Sequence, residues 1–456
     1  MSGSAVEADG DPAAAHARRR ARLLEQYRAG GGGVRLHKDT SNLFRDRRRA
    51  PDHRLDVRGF RHVLSVDATA GSVDTEGMVP YMDLVDATLA HGVMPCVVPQ
   101  LRSITLGGAI SGVGIEASSF RYGLVHDTAQ ALDVLTGTGE IVTATPDNEH
   151  ADLFFGLPNS YGTLGYILRA RAMTVPVRPY VRLHHVRHTD PEQYFQHIEE
   201  RCRAGEEDFI DGTVFGPGDL VVTLGRFVDE APWTSDYGFE RIYYRSLRER
   251  SEDYLTTRDF IWRWDTDWFW CSKNVFAQHP LVRRLLGRKR LNSITYQRIM
   301  RWNARWGVTR AINRIRRLHT ESVIQDVDIP IERAPEFLAF FEREIGIEPA
   351  WICPIQAWRR DRRFDLYPLD PERLYVNFGF WDVIRTHRHF PEGHFNRKVE
   401  RKVAELGGIK SLYSSSYYPE EEFWQYYDRS AYERLKSRYD PEGRLKDLYA
   451  KTVLGD

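Results

Sequence analysis

A chain of 456 residues that is 42% hydrophobic is too long for one hydrophobic core, so its length predicts two domains. Lysine plus arginine and aspartate plus glutamate number 64 each, a balance that offers no case for a nucleic-acid partner. The four cysteines lack metal-binding spacing, and no run has the length of a membrane span or the pattern of a signal peptide. These features favour a cytosolic protein with reduced thiols and no metal site.

The first part of the chain predicts alternating helices and strands. Residues 1–15 are small and acidic and predict disorder. Periodicity then predicts two helices and four short strands. The helices are His16–Arg28 and Met82–Ala90, and the strands are Val34–Leu36, two within Leu55–Val66, and Val93–Val98. Strands that alternate with helices indicate an α+β first subdomain.

A glycine-rich stretch, Pro99–Gly123, follows the last of these strands. Glycine has no Cβ, so it lets the backbone take positive φ and approach a ligand closely. Exposed N–H groups in such turns bind anions, most often phosphate, and we therefore expect this loop to hold a pyrophosphate. Its spacing differs from the common dinucleotide and P-loop fingerprints, which leaves a purely structural turn as the alternative. A second small-residue run, Gly162–Gly165, suits a long cofactor held at both ends.

Beyond Tyr180 the pattern changes and predicts a second, α+β domain. Its predicted strands are Arg182–Val186, Phe209–Phe215, Leu220–Phe227, Ser322–Ile331, Trp351–Gln356, Leu374–Phe380 and Lys410–Tyr413. Its predicted helices are Pro191–Cys202, Ala334–Ile345, Phe395–Leu406 and Pro419–Tyr439. We expect this domain to cover the cofactor and shape the substrate site.

Residues 255–319 combine aromatic side chains with positive charge. From Trp268 to Thr320 there are thirteen Lys or Arg and no Asp or Glu. The aromatic residues are Phe260, Trp262, Trp264, Trp268, Phe269, Trp270, Phe276, Trp302 and Trp306. This composition suits a membrane interface, where rings lie at headgroup level and cations meet anionic lipid. The alternatives are ordinary packing within the second domain and binding to nucleic acid.

Several motifs, in order along the chain, resemble the FAD-binding domain of the vanillyl-alcohol-oxidase type, also called PCMH-type. Within that group the chain is most similar to the delta-24 sterol reductase branch. The matching segments are Pro99–Gly123, Leu153–Pro158, Gly162–Ile167, Gln325–Pro330, Trp351–Pro354, Glu421–Trp424 and Tyr439–Val453. They cover the chain from about residue 34 to its C-terminus, so the resemblance is more specific than a glycine pattern alone.

The resemblance implies a two-subdomain FAD-binding domain at residues 16–178 and a cap domain with an antiparallel sheet at residues 179–430. Residues 431–456 would return to the FAD-binding domain. The histidine that holds the flavin covalently in some relatives has no match, and His37 is out of position. We therefore expect non-covalent FAD, with NADPH as the reductant by analogy.

The resemblance also implies candidate site residues. Those expected to bind the cofactor are Thr40, Ser41, Asn42, Ser103, Thr105, Gly107, Gly108, Gly112, Gly114, Ser118, Ser119, Gly123, Gly162, Thr163, Gly165, Tyr449 and Lys451. Those expected to face the substrate are Trp351, Cys353, Asn377, Phe380 and Trp381. Glu116 is the first candidate for a catalytic acid, followed by His126 and Tyr122. Structural hydrogen bonding or packing is the alternative role for each of these residues.

The delta-24 sterol branch reduces an isolated alkene. A plausible route is protonation to a tertiary cation and hydride transfer from N5 of reduced FAD, which requires an acid and a dry, apolar pocket. Because the segment at 255–319 suits a membrane, we expect the substrate to be the methylene group of a phospholipid acyl chain, of the tuberculostearate type. The protein would then work in the cytoplasm, peripherally on the inner face of the cell membrane. The alternatives are a delta-24 sterol reductase, an FAD-linked sugar or polyol oxidase, and a lipid-binding protein without activity.

Overall fold

The computed structural model describes residues 11–39, 53–306, 316 and 318–455, and it shows an α+β protein with two principal sheets. The last strand of the six-stranded sheet ends at Pro176, and the first strand of the eight-stranded sheet begins at Tyr180. The predicted domain boundary at residue 178 falls between these strands. Each helix in the described ranges is too short or too polar to cross a bilayer.

The first part of the chain carries the six-stranded sheet. Its elements are α1 (Pro12–Ala29), β1 (Val34–His37), β2 (His53–Asp56), β3 (Val63–Asp67), β4 (Ser72–Glu76), α2 (Tyr81–Leu89), β5 (Val93–Pro95), α3 (Leu106–Ser111), α4 (Ser119–Tyr122), β6 (Ala129–Leu135), β7 (Ile141–Ala144), α5 (Ala151–Gly156) and β8 (Tyr166–Pro176). β1 and β2 pair in parallel apart from the sheet, whose order is β3-β4-β8-β6-β7 with β5 also on β8. Because β8 pairs with three strands, it forms the centre of this sheet.

Helix α1 begins earlier than the sequence predicted. Its first residue is Pro12, and the side chain of Asp11 caps it by accepting a hydrogen bond from the Ala13 N–H at 2.9 Å. Proline at the first helical position and aspartate before it are both strong helix-start signals. The prediction of disorder through residue 15 is therefore wrong for Pro12–Ala15, while residues 1–10 lie outside the described ranges.

The second part of the chain carries an eight-stranded antiparallel sheet in the order β12-β9-β11-β10-β14-β15-β13-β16. Its elements are β9 (Tyr180–His188), α6 (Pro191–Ala204), β10 (Phe209–Gly216), β11 (Asp219–Val228), α7 (Tyr243–Ser246), β12 (Glu252–Thr256), α8 (Thr257–Ile261), α9 (Pro280–Leu286), α10 (Ser293–Trp306), β13 (His319–Pro330), α11 (Ala334–Glu344), β14 (Ala350–Ile355), β15 (Tyr375–Thr386), α12 (His394–Glu405), β16 (Ile409–Lys410), α13 (Glu420–Tyr426) and α14 (Arg429–Tyr439). Short 3₁₀ turns lie at Asp265–Asp267 and Cys271–Val275.

The two faces of the eight-stranded sheet bury different partners. On β15, Phe378 and Phe380 pack against Phe337 and Phe341 of α11, with ring centroids 4.7 Å and 4.6 Å apart. Trp381 is the next residue, and because successive side chains of a strand point to opposite faces, it faces the first part of the chain. The prediction that Phe380 faces the substrate is therefore wrong, since the helices cover its side of the sheet.

The C-terminal segment returns to the first part of the chain. The predicted helix Pro419–Tyr439 is instead two helices, because Asp428 interrupts it and caps α14 through the Ala431 N–H. Beyond α14, the carbonyl oxygen of Arg444 accepts a hydrogen bond from the Val34 N–H at 2.9 Å. Leu445 packs in the same small core as α1 and β1. These contacts hold the end of the chain against β1 and α1.

Candidate active site

A cavity of about 760 Å³ lies between the first part of the chain and the eight-stranded sheet. Among the described residues, its lining includes the cationic side chains of Arg35, Lys38, Arg54, Lys446 and Lys451. The glycine-rich loop Pro99–Ile115 forms one long wall. Aromatic side chains from the eight-stranded sheet and from the segment after α8 also line the cavity. The cavity thus combines positive charge, glycine backbone and aromatic rings in one lining.

The glycines of the loop allow backbone segments to pack closely. A Cβ on Gly107 would lie 2.7 Å from the carbonyl oxygen of Gly77, and one on Gly112 would lie 2.6 Å from that of Gly108. The N–H of Gly107 donates to Gly77, and that of Gly108 donates to the Thr105 hydroxyl. These two amides are used within the protein, so the expectation that they bind an anion is wrong. The glycines line the cavity because no side chain would fit there.

A long, partly charged cofactor such as FAD fits this wall. The amide of Gln100 is buried on the cavity lining, and neither its oxygen nor its nitrogen has a hydrogen-bond partner within the described residues. A buried polar group without a partner is costly, so this amide is suited to a polar ring edge of a ligand. The cationic side chains of the lining match the negative charge of a pyrophosphate.

Four aromatic side chains of the lining form a group that we call the aromatic chamber: Trp268, Phe269, Trp351 and Trp381. The Phe269 ring lies 4.4 Å from Trp381 and 5.7 Å from Trp351, measured between centroids. Trp268 and Phe269 take the left-handed backbone conformation, with φ of 44° and 52°, which is uncommon for bulky residues. Such strain persists only where packing enforces it and is often found at functional sites. Trp264 stacks on Phe269 at 5.0 Å and supplies part of that packing.

Within the part of the chain that the structure describes, one carboxyl lines the cavity beside the chamber. Asp326 lies on β13, and its Oδ1 is buried without a hydrogen-bond partner in the described part of the chain. Burial, the largest cause, raises the pKa of Asp326 to about 8, although the Tyr413 hydroxyl opposes this shift. The Trp381 indole N–H donates to the Tyr413 hydroxyl at 2.8 Å. Sequence reasoning missed Asp326, but the alternation in Val327, Asp328 and Ile329 was a usable signal, since it puts both acids on one strand face.

Glu116, the first predicted acid, lies behind the chamber wall rather than on the cavity lining. Arg263 donates to Glu116 at 2.9 Å and to Asp211 at 2.8 Å. Asp211 in turn accepts a hydrogen bond from the Trp351 indole at 3.3 Å. Burial raises the pKa of Glu116 to about 7, with Arg263 opposing the shift. Glu116 therefore belongs to a buried ionic cluster that orients Trp351.

The other two predicted acids also lie away from the lining. His126 is buried, with its ring 4.3 Å from that of Phe364, and burial lowers its pKa to about 3. A histidine with a pKa of about 3 is neutral at neutral pH and is therefore a poor proton donor. Burial raises the pKa of Tyr122, which packs at the edge of the main core. The geometry supports none of the three as a donor to a ligand in the cavity, and their catalytic roles remain predictions.

The other predicted site residues divide into three groups. Those that line the cavity are Ser103, Thr105, Gly107, Gly108, Gly112, Gly114, Gly162, Gly165, Lys451, Trp351 and Trp381. Those that the structure places elsewhere are Ser118, Ser119, Gly123, Thr163, Tyr449, Cys353, Asn377 and Phe380. Thr40, Ser41 and Asn42 lie outside the described residues.

The misplaced polar residues serve the protein itself. The Ser118 hydroxyl donates to the Cys96 carbonyl at 2.7 Å, and the Ser119 hydroxyl accepts from the Glu116 N–H at 3.1 Å. The Thr163 hydroxyl donates to the Ser160 carbonyl at 2.8 Å, and the Asn377 amide donates to Asp328 at 2.8 Å. Their interpretation as cofactor or substrate ligands is corrected because they lie away from the cavity lining and bond to other parts of the protein.

The chain is similar to a family model and to several known proteins. Residues 25–145 match the model of the FAD binding domain. The Delta(24)-sterol reductase of Arabidopsis thaliana is 25% identical over 448 residues, covering 90% of this chain and 78% of that protein. The Delta(24)-sterol reductase of Homo sapiens is 27% identical over 408 residues, covering 85% of this chain and 75% of that protein. Cytokinin dehydrogenase 7 of Oryza sativa subsp. japonica is 33% identical over 179 residues, or 38% of this chain and 32% of that protein.

The fold, the glycine-walled cavity and the matching domain together define an FAD-dependent oxidoreductase with a PCMH-type FAD-binding domain. The predicted α+β fold and the FAD cofactor are thereby confirmed. Within that class, the chain is similar to the Delta(24)-sterol reductases over most of its length.

Proposed function

We propose that this protein reduces an isolated carbon–carbon double bond in a lipid, using FAD as cofactor and NADPH as the source of electrons. The observation that carries the proposal is that the aromatic chamber and the glycine-rich loop line one cavity. Bound reduced FAD supplies the hydride that an alkene accepts. An alkene without a neighbouring carbonyl also needs a proton, and protonation gives a cation. Aromatic faces stabilise such a cation electrostatically.

The chain's own residues suit this task. Cavity-lining residues such as Lys38 and Arg54 would hold the charged part of the cofactor. Gln100 would meet a polar edge of its ring system, since its amide has no partner among the described residues. Trp351 is held by Asp211 and Trp381 by Tyr413, so both indoles keep their orientation. The packed aromatic rings exclude water and thereby strengthen electrostatic interactions.

A sterol side chain is the substrate that the comparisons favour. Relatives named Delta(24)-sterol reductase match 90% and 85% of this chain. Our expectation from the sequence, a methylene group on a phospholipid acyl chain, has less support. It remains a second candidate because exposed cations on α9 and α10 would match an anionic headgroup, whereas a sterol carries no charge.

An exposed aromatic and aliphatic surface supports a membrane-bound substrate in either case. Leu281 and Leu285 on α9, and Trp302 and Trp306 on α10, are each four residues apart and exposed. Residues at that spacing share one face of a helix. The inner sides of both helices pack in one small cluster with Trp268 of the chamber. We propose that this surface binds the inner face of an anionic membrane, so that lipid substrate reaches the cavity from the bilayer.

The test is an anaerobic two-step reaction. The purified protein is mixed with NADPH, and bleaching of the flavin absorbance is followed. Liposomes carrying either a delta-24 sterol or a methylene-branched phospholipid are then added, and flavin reoxidation and product mass are measured. We expect reoxidation with a product heavier by two hydrogens, and the lipid that gives it identifies the substrate. Reduction by sugars or polyols, with reoxidation only by oxygen, would instead indicate an oxidase.

A further inference from the structure

We infer that Asp326 is the proton donor of this reaction, because among the described residues its carboxyl is the one that lies on the cavity lining, beside the aromatic chamber. The inference rests on the proposed function, since a proton donor is needed only if an alkene is reduced. It replaces the prediction from sequence, which assigned this role to Glu116.

The sheet makes room for the Asp326 carboxyl. Asp326 on β13 pairs directly with Gly379 on β15. A Cβ at Gly379 would lie 2.7 Å from Asp326 Oδ1 and 2.6 Å from the ring of Trp381. Glycine inside a strand normally weakens it and often marks a close approach of other groups. Here the glycine leaves the space in which the carboxyl and the indole lie side by side.

The surroundings of Asp326 keep its proton in place. The titratable neighbours of its carboxyl are the Tyr413 hydroxyl and the Asp328 carboxyl on the same strand face. Asp328 accepts hydrogen bonds from Asn377 and Tyr367, and its negative charge further raises the pKa of Asp326. With a pKa of about 8, Asp326 is mostly protonated at neutral pH. A general acid works best when its pKa lies near the working pH.

Two other acidic groups on the lining, the Cys271 thiol and the Tyr413 hydroxyl, are weaker acids. Burial raises the pKa of the Cys271 thiol to about 12, and burial with the nearby Asp326 raises that of Tyr413 well above its usual value. In the step we propose, the O–H bond of Asp326 breaks and a C–H bond forms at one alkene carbon. The other carbon gains the hydride, whose two electrons come from NADPH through FAD. The Asp326 carboxylate then takes a proton from solvent.

Two variants that each remove one buried carboxyl at nearly constant shape separate the candidates. Asp326→Asn should keep the FAD content and the rate of flavin bleaching by NADPH, which also shows that it folds. Its alkene-dependent reoxidation should be slower by about 100- to 10,000-fold, the usual contribution of a general acid. Glu116→Gln should slow that step less than about tenfold. The inference would be overturned if Asp326→Asn reoxidised at the wild-type rate. It would also be overturned if Glu116→Gln, and not Asp326→Asn, showed the large loss of rate.

An infrared measurement tests the site without any substrate. The difference spectrum of wild type minus Asp326→Asn should contain the C=O band of a protonated carboxyl, and this band should disappear as the pH rises through about 8. An Asp326 that is already ionised at pH 6 would overturn the inference. A different result is expected if the proposed function is wrong. The wild type would then leave every tested alkene unreacted, although the carboxyl band still disappears with rising pH. That result would overturn both proposals.

The variant Tyr413→Phe tests whether Asp326 donates the proton or only supports the structure. Only a proton donor makes the pH dependence of the alkene step follow the pKa of Asp326. The Tyr413 hydroxyl lowers the pKa of Asp326, so its removal should raise that pKa. The rate of the alkene step falls as Asp326 loses its proton, and this fall should therefore shift to higher pH in the variant. A profile that stays unchanged or moves to lower pH would contradict the assignment.

Discussion

The aromatic–basic segment contains two parts that both carry tryptophans and that differ in the structure. In the inner part, residues 260–272, nearly every side chain is buried, including Trp262, Trp264 and Trp270. In the outer part, residues 276–306, Leu285, Trp302 and Trp306 are 87%, 57% and 67% exposed. Packing in the core is thus the correct interpretation of the inner part, and the outer part keeps the properties of a membrane contact.

The positively charged side chains of the segment also differ in burial and in ion pairing. Arg263 of the inner part is neutralised by Glu116 and Asp211, which lie far away in sequence. Arg283 pairs with Asp267 and is buried, although it belongs to the outer part. Arg284, Lys289, Arg290, Arg298 and Arg301 are exposed. A count of charges along the chain therefore overstates the positive charge that a membrane would meet.

The largest effect should come from Arg263→Met. The change leaves two buried carboxyls without their positive partner, and we expect the free energy of unfolding to fall by about 3–5 kcal/mol. Denaturation by urea measures this value. The matched control is Arg301→Met on the exposed surface, which should change it by less than about 0.5 kcal/mol. Equal effects of the two variants would refute the contrast between inner and outer cations.

Removing an inner ring should cost nearly as much. Trp264→Ala empties space next to Tyr243 and Phe269, whose rings lie 4.9 Å and 5.0 Å from the indole. We expect a loss of about 3 kcal/mol or more of unfolding free energy, as for other buried tryptophans. Denaturant midpoints for Trp264→Ala and for Trp302→Ala provide the comparison, and a loss of similar size in Trp302→Ala would show that its ring is also packed.

A smaller effect concerns pH. The folded-state pKa of Glu116 is about 7, above its ordinary value of 4.5, so the folded protein binds this proton more tightly than the unfolded chain does. Its contribution to stability is therefore complete below pH 4.5 and is lost as the pH rises to about 7, with a slope of at most about 1.4 kcal/mol per pH unit. The difference in stability between wild type and Glu116→Gln should fall over this range. A difference that stays constant would contradict the raised pKa.

The smallest change in stability is expected on the outer part. The double variant Trp302→Ala, Trp306→Ala should unfold within about 0.5 kcal/mol of wild type. Its binding to vesicles with anionic lipid should nevertheless weaken by about tenfold or more, because two rings no longer enter the interface. Sedimentation with vesicles at low and high salt measures this. Trp233→Ala, which removes an exposed tryptophan of the second part, is the control, and an equal loss there would make the effect unspecific.

Much of the architecture could be predicted from sequence. The periodicity of α6, β10 and β11 placed these elements within a few residues of their observed bounds. The glycine-rich loop and Gly162 both line the cavity, as expected. The alternation of β15, however, was not used to separate Phe380 from Trp381, and the split at Asp428 was missed although aspartate is a strong cap.

The candidate site could be predicted only in part. Motif resemblance located the cofactor wall and Trp351, because these depend on local backbone and on residue type. It did not separate Glu116 from Asp326, since both are acids in family-like segments. What distinguishes them is Arg263, 147 residues from Glu116, and the pairing of Asp326 with Gly379.

The sequence by itself determined the class of the protein: an α+β flavoprotein whose glycine loops, strand periods and ordered motifs are all local properties of the chain. Only the tertiary structure decided which acid meets the cavity and which tryptophans meet solvent. The physical reason is that burial and charge neutralisation depend on partners brought together by the two sheets. These partners lie far apart along the chain, so composition and spacing carry no record of them.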